Sequence, residues 1–310
     1  MSTLRAYCQL CRLPAVFTAL ADIMLGYLLT HSSIESVWQL ALLLGASAGL
    51  YLSGMVWNDI FDREQDGKER PKRPIPSGRV SLKAAITFAS VLTVIGLACA
   101  AAAGWRSLAV AGMLTACIFL YDGVLKKTPL GPLFMGGCRS LNVILGASTA
   151  GELFASAWQF PQWWAAVSLG IYIVGVTFFA RTEAVTSKRF MLILGALILN
   201  CGLLGLATWI SGETARFGFL AGEGGARNPK MVLLVLGMIA LTINRRIVLA
   251  IESPEPQYVQ SGVKMMLLSV IMLDATCIYF KLGDPGMNYA AATACLVIPG
   301  LILGKWMSMT

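Results

Sequence analysis

The sequence predicts an all-α fold, a polytopic membrane bundle of nine to ten transmembrane helices, on the basis of composition and patterning. Of its 310 residues, 57% are hydrophobic and only 13% are charged, whereas a soluble domain carries about 25% charged residues. The apolar residues form long blocks between short polar loops, and each block approaches the roughly 20 residues needed to cross a bilayer. These features exclude an ordinary cytosolic enzyme, a disordered chain and a secreted disulfide scaffold, and we expect one transmembrane domain over residues 1–310.

Ten apolar blocks are candidate spans, and the loops between them predict their orientation. The candidate spans are 13–30, 38–58, 83–103, 105–121, 131–150, 161–180, 190–210, 230–249, 262–281 and 288–307. Basic residues concentrate in alternate loops, namely 61–83, 121–130, 181–189 and 245–261. The positive-inside rule predicts that these loops and the N-terminus are cytoplasmic, in a cell inner membrane. The net charge of +8 therefore indicates topology, and we expect no nucleic-acid partner. The last block is either a tenth span or a lipid-facing surface helix.

An acidic segment closes the second predicted span. At 100° per residue, Asp59, Asp62 and Asp66 fall within about 60° of one another on a helix. Three carboxylates on one face repel each other, and placing them beside hydrocarbon is costly without compensation. A hard cation provides this compensation, since Mg²⁺ binds through one or two carboxylates plus substrate phosphates. The alternative interpretation is a solvated, charge-rich helix end.

Basic residues follow the acids directly and predict a phosphate ligand. Arg70 and Arg73 precede Pro74-Ile75-Pro76-Ser77-Gly78. Guanidinium groups suit phosphate oxygens, and prolines with glycine restrict the shape of the loop. The alternative is a basic loop that only sets topology. Carboxylates that can bind a metal ion, next to arginines that can bind phosphate, favour a diphosphate as the ligand.

The two elements together resemble the first signature of the UbiA superfamily of intramembrane prenyltransferases. The residues are N-D-x-x-D-x-x-x-D at 58–66, followed by R-x-x-R-P-I-P-S-G at 70–78. The resemblance implies a helical bundle with a lateral opening to lipid, in which Mg²⁺ holds a prenyl diphosphate. The allylic C–O bond ionises and a hydrophobic or aromatic acceptor attacks the cation. By resemblance, Asp59, Asp62 and Asp66 bind metal and act in catalysis, while Asn58, Arg70 and Arg73 bind substrate.

Two further segments add candidate substrate-binding residues. The sequence Tyr121-Asp122-Gly123-Val124-Leu125-Lys126-Lys127 is similar to the family's Y-x-x-x-K-[KR] element, in which lysine contacts the diphosphate. Tyr121, Lys126 and Lys127 are the candidates there, with Lys126 placed among the catalytic residues. Arg139 and Asn142 lie three residues apart within an apolar span. Buried polar groups at that spacing share a helix face, which favours a pocket over packing alone.

The loop after the sixth span departs from the family pattern. The resemblance leads us to expect a second acid motif, but residues 181–188 contain one carboxylate, Glu183. One acid holds a second hard cation poorly, because affinity depends on the charge of the ligand set. We therefore expect Arg181 to contact the diphosphate directly and Glu183 to contact substrate. This departure resembles a divergent branch of the superfamily, such as the EboC-like proteins.

Three other functions remain open. A non-catalytic binder or carrier of prenyl lipids with the same fold is the main alternative, because the second acid motif is reduced. A phosphatidyl-group transferase is disfavoured because its D-G-x-x-A-R signature is missing from the sequence. A secondary transporter would have polar groups at the bilayer midplane, whereas these acids lie at its edge. Membrane lipids are partners under every alternative.

Overall fold

The computed structural model describes residues 3–181, 183, 186–213 and 228–306, and the regular structure within them is helical. A single-turn 3₁₀ segment, Leu13–Ala15, links the first two helices, and a π-helical turn, Tyr121–Leu125, extends the helix Trp105–Leu120. The helices are α1 Thr3–Leu10, α2 Val16–Thr30, α3 Val37–Phe61, α4 Arg63–Glu69, α5 Leu82–Ala103, α6 Trp105–Leu120, α7 Gly131–Ala147, α8 Gln162–Ala180, α9 Arg189–Ile210, α10 Pro229–Glu252, α11 Pro256–Leu282, α12 Met287–Cys295 and α13 Val297–Trp306.

In the described part of the chain, nine stretches are long and apolar enough to cross a bilayer. They are α2 with the preceding turn, α3, α5, α6 with its π turn, α8, α9, α10, α11, and the segment of α12 and α13. The protein is thus an integral, multi-pass membrane protein, as the composition predicts. The predicted span 131–150 is shorter than expected, because α7 ends at Ala147 after 17 residues. That length is about 26 Å, less than the hydrocarbon thickness of about 30 Å.

Local sequence signals account for where several helices begin and end. Ser36 and Ser81 stand just before α3 and α5, and each side chain accepts a hydrogen bond from a backbone N–H in the first turn, at 3.2 Å. Such caps satisfy amides that have no partner inside the helix. Gly104 separates α5 from α6 with φ +144°, a backbone conformation that a residue with a Cβ rarely adopts.

The centre of the bundle is formed by α2 and α11, of which 72% of the spanning residues are buried, against 22% for α5 and α10 at the periphery. Small residues let the inner helices approach closely. A Cβ added at Gly26 of α2 would lie 2.0 Å from the Val143 carbonyl oxygen of α7. One added at Gly49 of α3 would lie 2.9 Å from Gly96 of α5. The first contact joins α2 to α7 and the second joins α3 to α5, and side chains of α2, α3 and α7 line one cavity.

Candidate active site

The acidic segment forms the junction between α3 and α4. Backbone hydrogen bonds continue across it at helical spacing, from the Asp62 amide to the Asn58 carbonyl (3.0 Å) and from the Asp66 amide to the Asp62 carbonyl (2.8 Å). Asp62 itself has ψ 0°, so α3 ends at Phe61 and α4 begins at Arg63. The helix that the spacing predicts is therefore interrupted at Asp62. The four-residue spacing survives, and Asn58, Asp62 and Asp66 line one cavity.

Asp59 is placed differently from the other two acids. Its side chain is 7% exposed and is not among those that line the cavity. Arg73 donates from Nη1 both to Asp59 (2.9 Å) and to Asp66 (2.7 Å). Arg12 Nη2 lies 3.4 Å from the same Asp59 oxygen. Asp59 is therefore the counter-ion of Arg73 and Arg12, and of the three acids predicted to bind metal only Asp62 and Asp66 line the cavity.

Arg12 is a site residue that the sequence analysis does not select. Its φ of +46° and ψ of +47° lie in the left-handed region, which costs a residue with a side chain roughly 1–2 kcal/mol. This backbone turns the guanidinium toward α3, with Nη2 3.4 Å from Asn58 Oδ1. Burial is the largest single effect on the pKa of Arg12 and lowers it, but the surrounding negative groups, Asp59 foremost, together outweigh burial and raise the pKa. The available signal was an arginine just before the first span, two residues from Pro14.

The π-helical turn Tyr121–Leu125 directs charged side chains into the cavity. The Lys126 amide donates to the carbonyl five residues earlier (2.8 Å), the pattern of a π turn, and such turns are frequent at functional sites. The Lys126 ammonium pairs with Asp62. Asp122 accepts a hydrogen bond from Asn58 Nδ2 (2.7 Å). The predicted lysine element and the predicted acid segment, some 60 residues apart in the sequence, thus meet at one end of the cavity.

Arg181 and Lys127 lie at the same end, in loops that contact each other. Arg181 Nη2 lies 3.3 Å from the backbone carbonyl oxygen of Lys127 and 3.4 Å from that of Thr128, and donates to both. It therefore connects the loop after α8 to the loop after α6. The side chains of Arg181 and Lys127 line the cavity. Residues 182, 184 and 185 of the departing motif lie outside the described residues.

Glu183 also lines the cavity, opposite a group of arginines. Its buried Oε2 has no hydrogen-bond partner among the described residues. Burial raises the pKa of Glu183, and the positive charges of Arg70, Arg12 and Arg73 partly offset that effect. The Arg70 side chain lines the cavity and makes no hydrogen bond to another described residue. Glu183, the one acid in residues 181–188, thus faces a positively charged region.

A second polar group lies deeper between the helices. Arg139 Nη1 forms a 2.6 Å salt bridge with Asp22, whose residue is fully buried. Asn142 donates to the same Asp22 oxygen (2.9 Å) and accepts from Ser47 (2.8 Å). Arg139 and Asn142 share a face of α7, as their spacing predicts, and both line the cavity. The sequence offers no partner for Asp22, and the structure provides two.

Asp274 of α11 stands beside this group without lining the cavity. It is fully buried, its carboxyl interacts with that of Asp22, and neither of its oxygens has another partner among the described residues. Two carboxyls beside the single guanidinium of Arg139 are neutral as a group when one carboxyl retains its proton. Asp274 therefore belongs to the same buried polar group as Asp22 and Arg139.

The cavity that connects these groups has a volume of about 760 Å³. Charged side chains surround it where α3, α4 and the π turn meet. Apolar side chains line it further along the same bundle, and they include Leu114, Ile118, Ile173, Val176, Val263 and Leu267. The cavity therefore offers an ionic region and a hydrocarbon-like region to one elongated ligand.

The residues present fit a Mg²⁺ ion that is shared with a phosphate ligand. Among the described residues, no three acidic, histidine or cysteine side chains are arranged to hold a metal ion by themselves. Mg²⁺ does not require this, since it commonly takes one or two protein carboxylates and completes its shell with phosphate oxygens and water. Asp62 and Asp66, one helical turn apart in the sequence, are two of the carboxylates that line the cavity and can provide these ligands.

The comparison with protein families identifies this architecture. The model of the UbiA prenyltransferase family matches residues 19–209, more than half of the chain. The chain belongs to the UbiA prenyltransferase family. This confirms the resemblance carried by the N-D-x-x-D segment. The match extends from α2 through α9 and so includes the acid segment, the π turn and the loop after α8.

Curated relatives of this UbiA-family chain match only part of it. The digeranylgeranylglyceryl phosphate synthase of Methanopyrus kandleri is 31% identical over 158 residues, 51% of this chain and 58% of that protein. The synthase of the same name from Pyrococcus abyssi is 34% identical over 135 residues, 42% of this chain and 47% of that protein. The chain thus spans about half the length of the curated relatives it matches.

Solved structures match over nearly the whole chain. A UbiA homologue from Aeropyrum pernix superposes with a TM-score of 0.63 at 18% identity, covering 94% of this chain and 98% of that one. A UbiA homologue from Archaeoglobus fulgidus, bound to DMAPP and Mg²⁺, gives 0.55 at 16% identity, covering 93% and 98%. At these identities the likeness shows the fold, and it confirms the predicted all-α, UbiA-like bundle.

Proposed function

We propose that this UbiA-family protein is a Mg²⁺-dependent prenyltransferase that moves a prenyl group from a prenyl diphosphate to an acceptor within the membrane. One observation carries the proposal. A single cavity joins two inward-facing carboxylates and a group of basic side chains to an apolar lining inside the bundle. A diphosphate with an isoprenoid tail has the matching distribution of charge and hydrocarbon.

The basic side chains bind the diphosphate. Arg12, Arg70, Lys126 and Lys127 line the charged end and carry the donors that phosphate oxygens accept. Arg73 acts as a positioning residue, because one of its nitrogens links Asp59 to Asp66. This linkage fixes the orientation of α4 and of the acids before substrate arrives, so little rearrangement accompanies the reaction.

Asp62 and Asp66 would hold Mg²⁺, with Asn58 and Asp59 positioning them from α3. When bound, the ion withdraws electron density from the leaving diphosphate. The chain's own cations contribute to the same end, because they already point to where negative charge develops. The water-poor interior makes each of these interactions stronger than it would be in solvent.

The reaction begins when the allylic C–O bond breaks and its electron pair stays on the diphosphate oxygen. The resulting carbocation is sheltered from water by the apolar lining, with Tyr121 at the boundary between the two regions. The acceptor then attacks the allylic carbon, a new bond forms, and the acceptor loses a proton. Glu183 faces the charged end, and Arg181 keeps its loop attached to the π turn.

The acceptor is aromatic, a quinone precursor or a lipid alcohol, and a lipid alcohol is favoured. Relatives are named for the synthesis of digeranylgeranylglyceryl phosphate, which is a glyceryl lipid. Arg139 also supports an uncharged group at the deeper end. Its charge is already neutralised by Asp22, so Arg139 and Asn142 offer hydrogen bonds but no net charge to an acceptor.

The basic loops 61–83, 121–130 and 181–189 surround the charged end of the cavity, so we place that end and the N-terminus on the cytoplasmic side of a cell inner membrane. Fusion of a topology reporter to either terminus checks the orientation. A periplasmic N-terminus would contradict it.

The central experiment measures pyrophosphate release by purified protein in lipid nanodiscs, with Mg²⁺, prenyl diphosphates of several lengths and acceptors of each class. Asp62→Asn is expected to abolish release while the protein remains folded. Glu64→Gln is the matched control, because Glu64 lies on the same helix with its side chain 85% exposed, and it should retain release.

A non-catalytic prenyl-lipid carrier with this cavity is the alternative. It would bind prenyl diphosphate and release no pyrophosphate with any acceptor class, and that result would contradict the proposed activity. Its supporting observation is the single carboxylate in residues 181–188.

A further inference from the structure

The two walls of the charged end differ in the number of carboxylates that they present. Asp122 of the π turn and Glu69 of α4 line the cavity on the side of Asp62 and Asp66 in the chain order. The wall formed by α3 and α4 presents Asp62 and Asp66 to the cavity. The opposite wall presents Glu183, which is the only acid in residues 181–189. Carboxylates that can hold a hard cation are therefore concentrated on one side.

The charges around Glu183 disfavour a metal ion there. The positive charges that act on its carboxyl are those of Arg70, Arg12 and Arg73. A divalent cation beside Glu183 would have one carboxylate ligand and would be repelled by these guanidinium groups. Hard-cation sites need several oxygen ligands, and their affinity rises with the charge of the ligand set. The Glu183 wall has neither feature.

The same guanidinium groups are suited to bind the diphosphate directly. The Arg70 side chain lines the cavity and makes no hydrogen bond to another described residue, so its guanidinium donors are available to a ligand. Arg12 is turned into the site by a left-handed backbone conformation. Arginine forms paired, charge-assisted hydrogen bonds with phosphate oxygens.

We infer that the site binds its diphosphate with one divalent cation, held by Asp62 and Asp66, and that Arg12 and Arg70 neutralise the diphosphate on the Glu183 side. This inference rests on the proposed function and specifies how the donor's charge is balanced. Arg181 lines the same cavity while its Nη2 donates to two backbone carbonyl oxygens, and its predicted contact with the diphosphate stays a prediction.

The test counts metal ions. The full-length protein in nanodiscs is titrated with Mn²⁺ at saturating geranyl S-thiolodiphosphate, a non-reactive donor analogue, and bound Mn²⁺ is quantified by electron paramagnetic resonance. We expect one Mn²⁺ per protein, with no dipolar broadening between neighbouring ions. Two Mn²⁺ per protein would overturn the inference and leave the proposed function intact. An analogue that does not bind, or binds without Mn²⁺, would overturn both.

Single substitutions test the role of each wall separately. Glu183→Gln is expected to keep one Mn²⁺ with an affinity within about twofold, and a loss of bound Mn²⁺ would identify Glu183 as a ligand and reject the inference. Arg70→Gln should weaken analogue binding by about 10- to 100-fold while one Mn²⁺ still binds, as loss of a charge-assisted hydrogen bond implies. Lys68→Gln removes an exposed charge from the same segment and should have no effect. Equal affinities for these two variants would contradict the assigned role of Arg70.

Discussion

Arg139 of α7 and Asp22 of α2 form a 2.6 Å salt bridge between two helices at the centre of the bundle, 117 residues apart in the sequence. Asp22 is fully buried and the Arg139 side chain is 10% exposed. Removing one partner of such a pair leaves an uncompensated charge in a medium that solvates it poorly. The pair therefore stabilises the contact between α2 and α7 only while both members are present.

In an Asp274→Asn background, which removes the second carboxyl beside Arg139, Asp22→Ala is expected to lower the free energy of unfolding by about 3–5 kcal/mol, the cost of leaving a buried charge unpaired. Denaturant unfolding in mixed micelles measures the change. Arg139→Met supplies the second arm of a double-mutant cycle. A double variant that is no less stable than Asp22→Ala would support the pairing. Strictly additive effects would show that the salt bridge has no coupling energy.

Arg12→Gly separates backbone strain from ligand binding. Glycine adopts φ +46° without the steric cost that arginine has, and this relief should offset part of the stability lost when Arg12 no longer pairs with Asp59. The loss of the guanidinium should weaken binding of the thiolodiphosphate analogue by about tenfold or more. Thermal unfolding and calorimetric titration of one preparation measure both effects. Unchanged analogue binding would remove Arg12 from the proposed site.

The pKa of Glu183 predicts a pH dependence of stability. Burial raises this pKa above the ordinary value of 4.5, so folding favours the protonated carboxyl. Below pH 4.5 the acid is protonated in both the folded and unfolded states, and its contribution is fully present. As the pH rises through the raised pKa, the native protein should lose stability relative to Glu183→Gln. The difference in unfolding free energy between the two proteins, measured across this range, checks the sign. A native protein whose unfolding free energy stays constant or rises with pH relative to that of Glu183→Gln would contradict the prediction.

Gly26→Ala tests the close approach of α2 and α7. The new Cβ would lie 2.0 Å from the Val143 carbonyl oxygen, so the helices must separate. We expect a loss of about 1–3 kcal/mol in unfolding free energy, as for other overpacked cores. Gly237→Ala in α10 is the control, because nothing lies within 4 Å of its added Cβ. It should be neutral or gain up to about 1 kcal/mol from helix propensity. Equal effects of the two substitutions would show that the close approach is unimportant.

The structure explains why some predictions about the site hold and others do not. The four-residue spacing of Asn58, Asp62 and Asp66 places them along one cavity wall, because helical geometry is local. The predicted face also includes Asp59, three residues before Asp62, yet that side chain pairs with Arg12, which lies 47 residues away, and does not line the cavity. Periodicity predicts the face that a residue occupies on its own helix. The partner that decides the final direction of a side chain comes from another helix.

The sequence by itself determined that this chain is a helical membrane protein of the UbiA family, with acids and bases gathered at one edge of the bilayer. Hydropathy, helical phase and short motifs are properties of neighbouring residues, and one sequence displays them fully. Only the tertiary structure decided that Arg12 enters the site, that Arg181 bonds to backbone, and that Asp22 neutralises Arg139. These depend on which helices lie side by side, since a charge inside the bilayer must find its partner across the bundle.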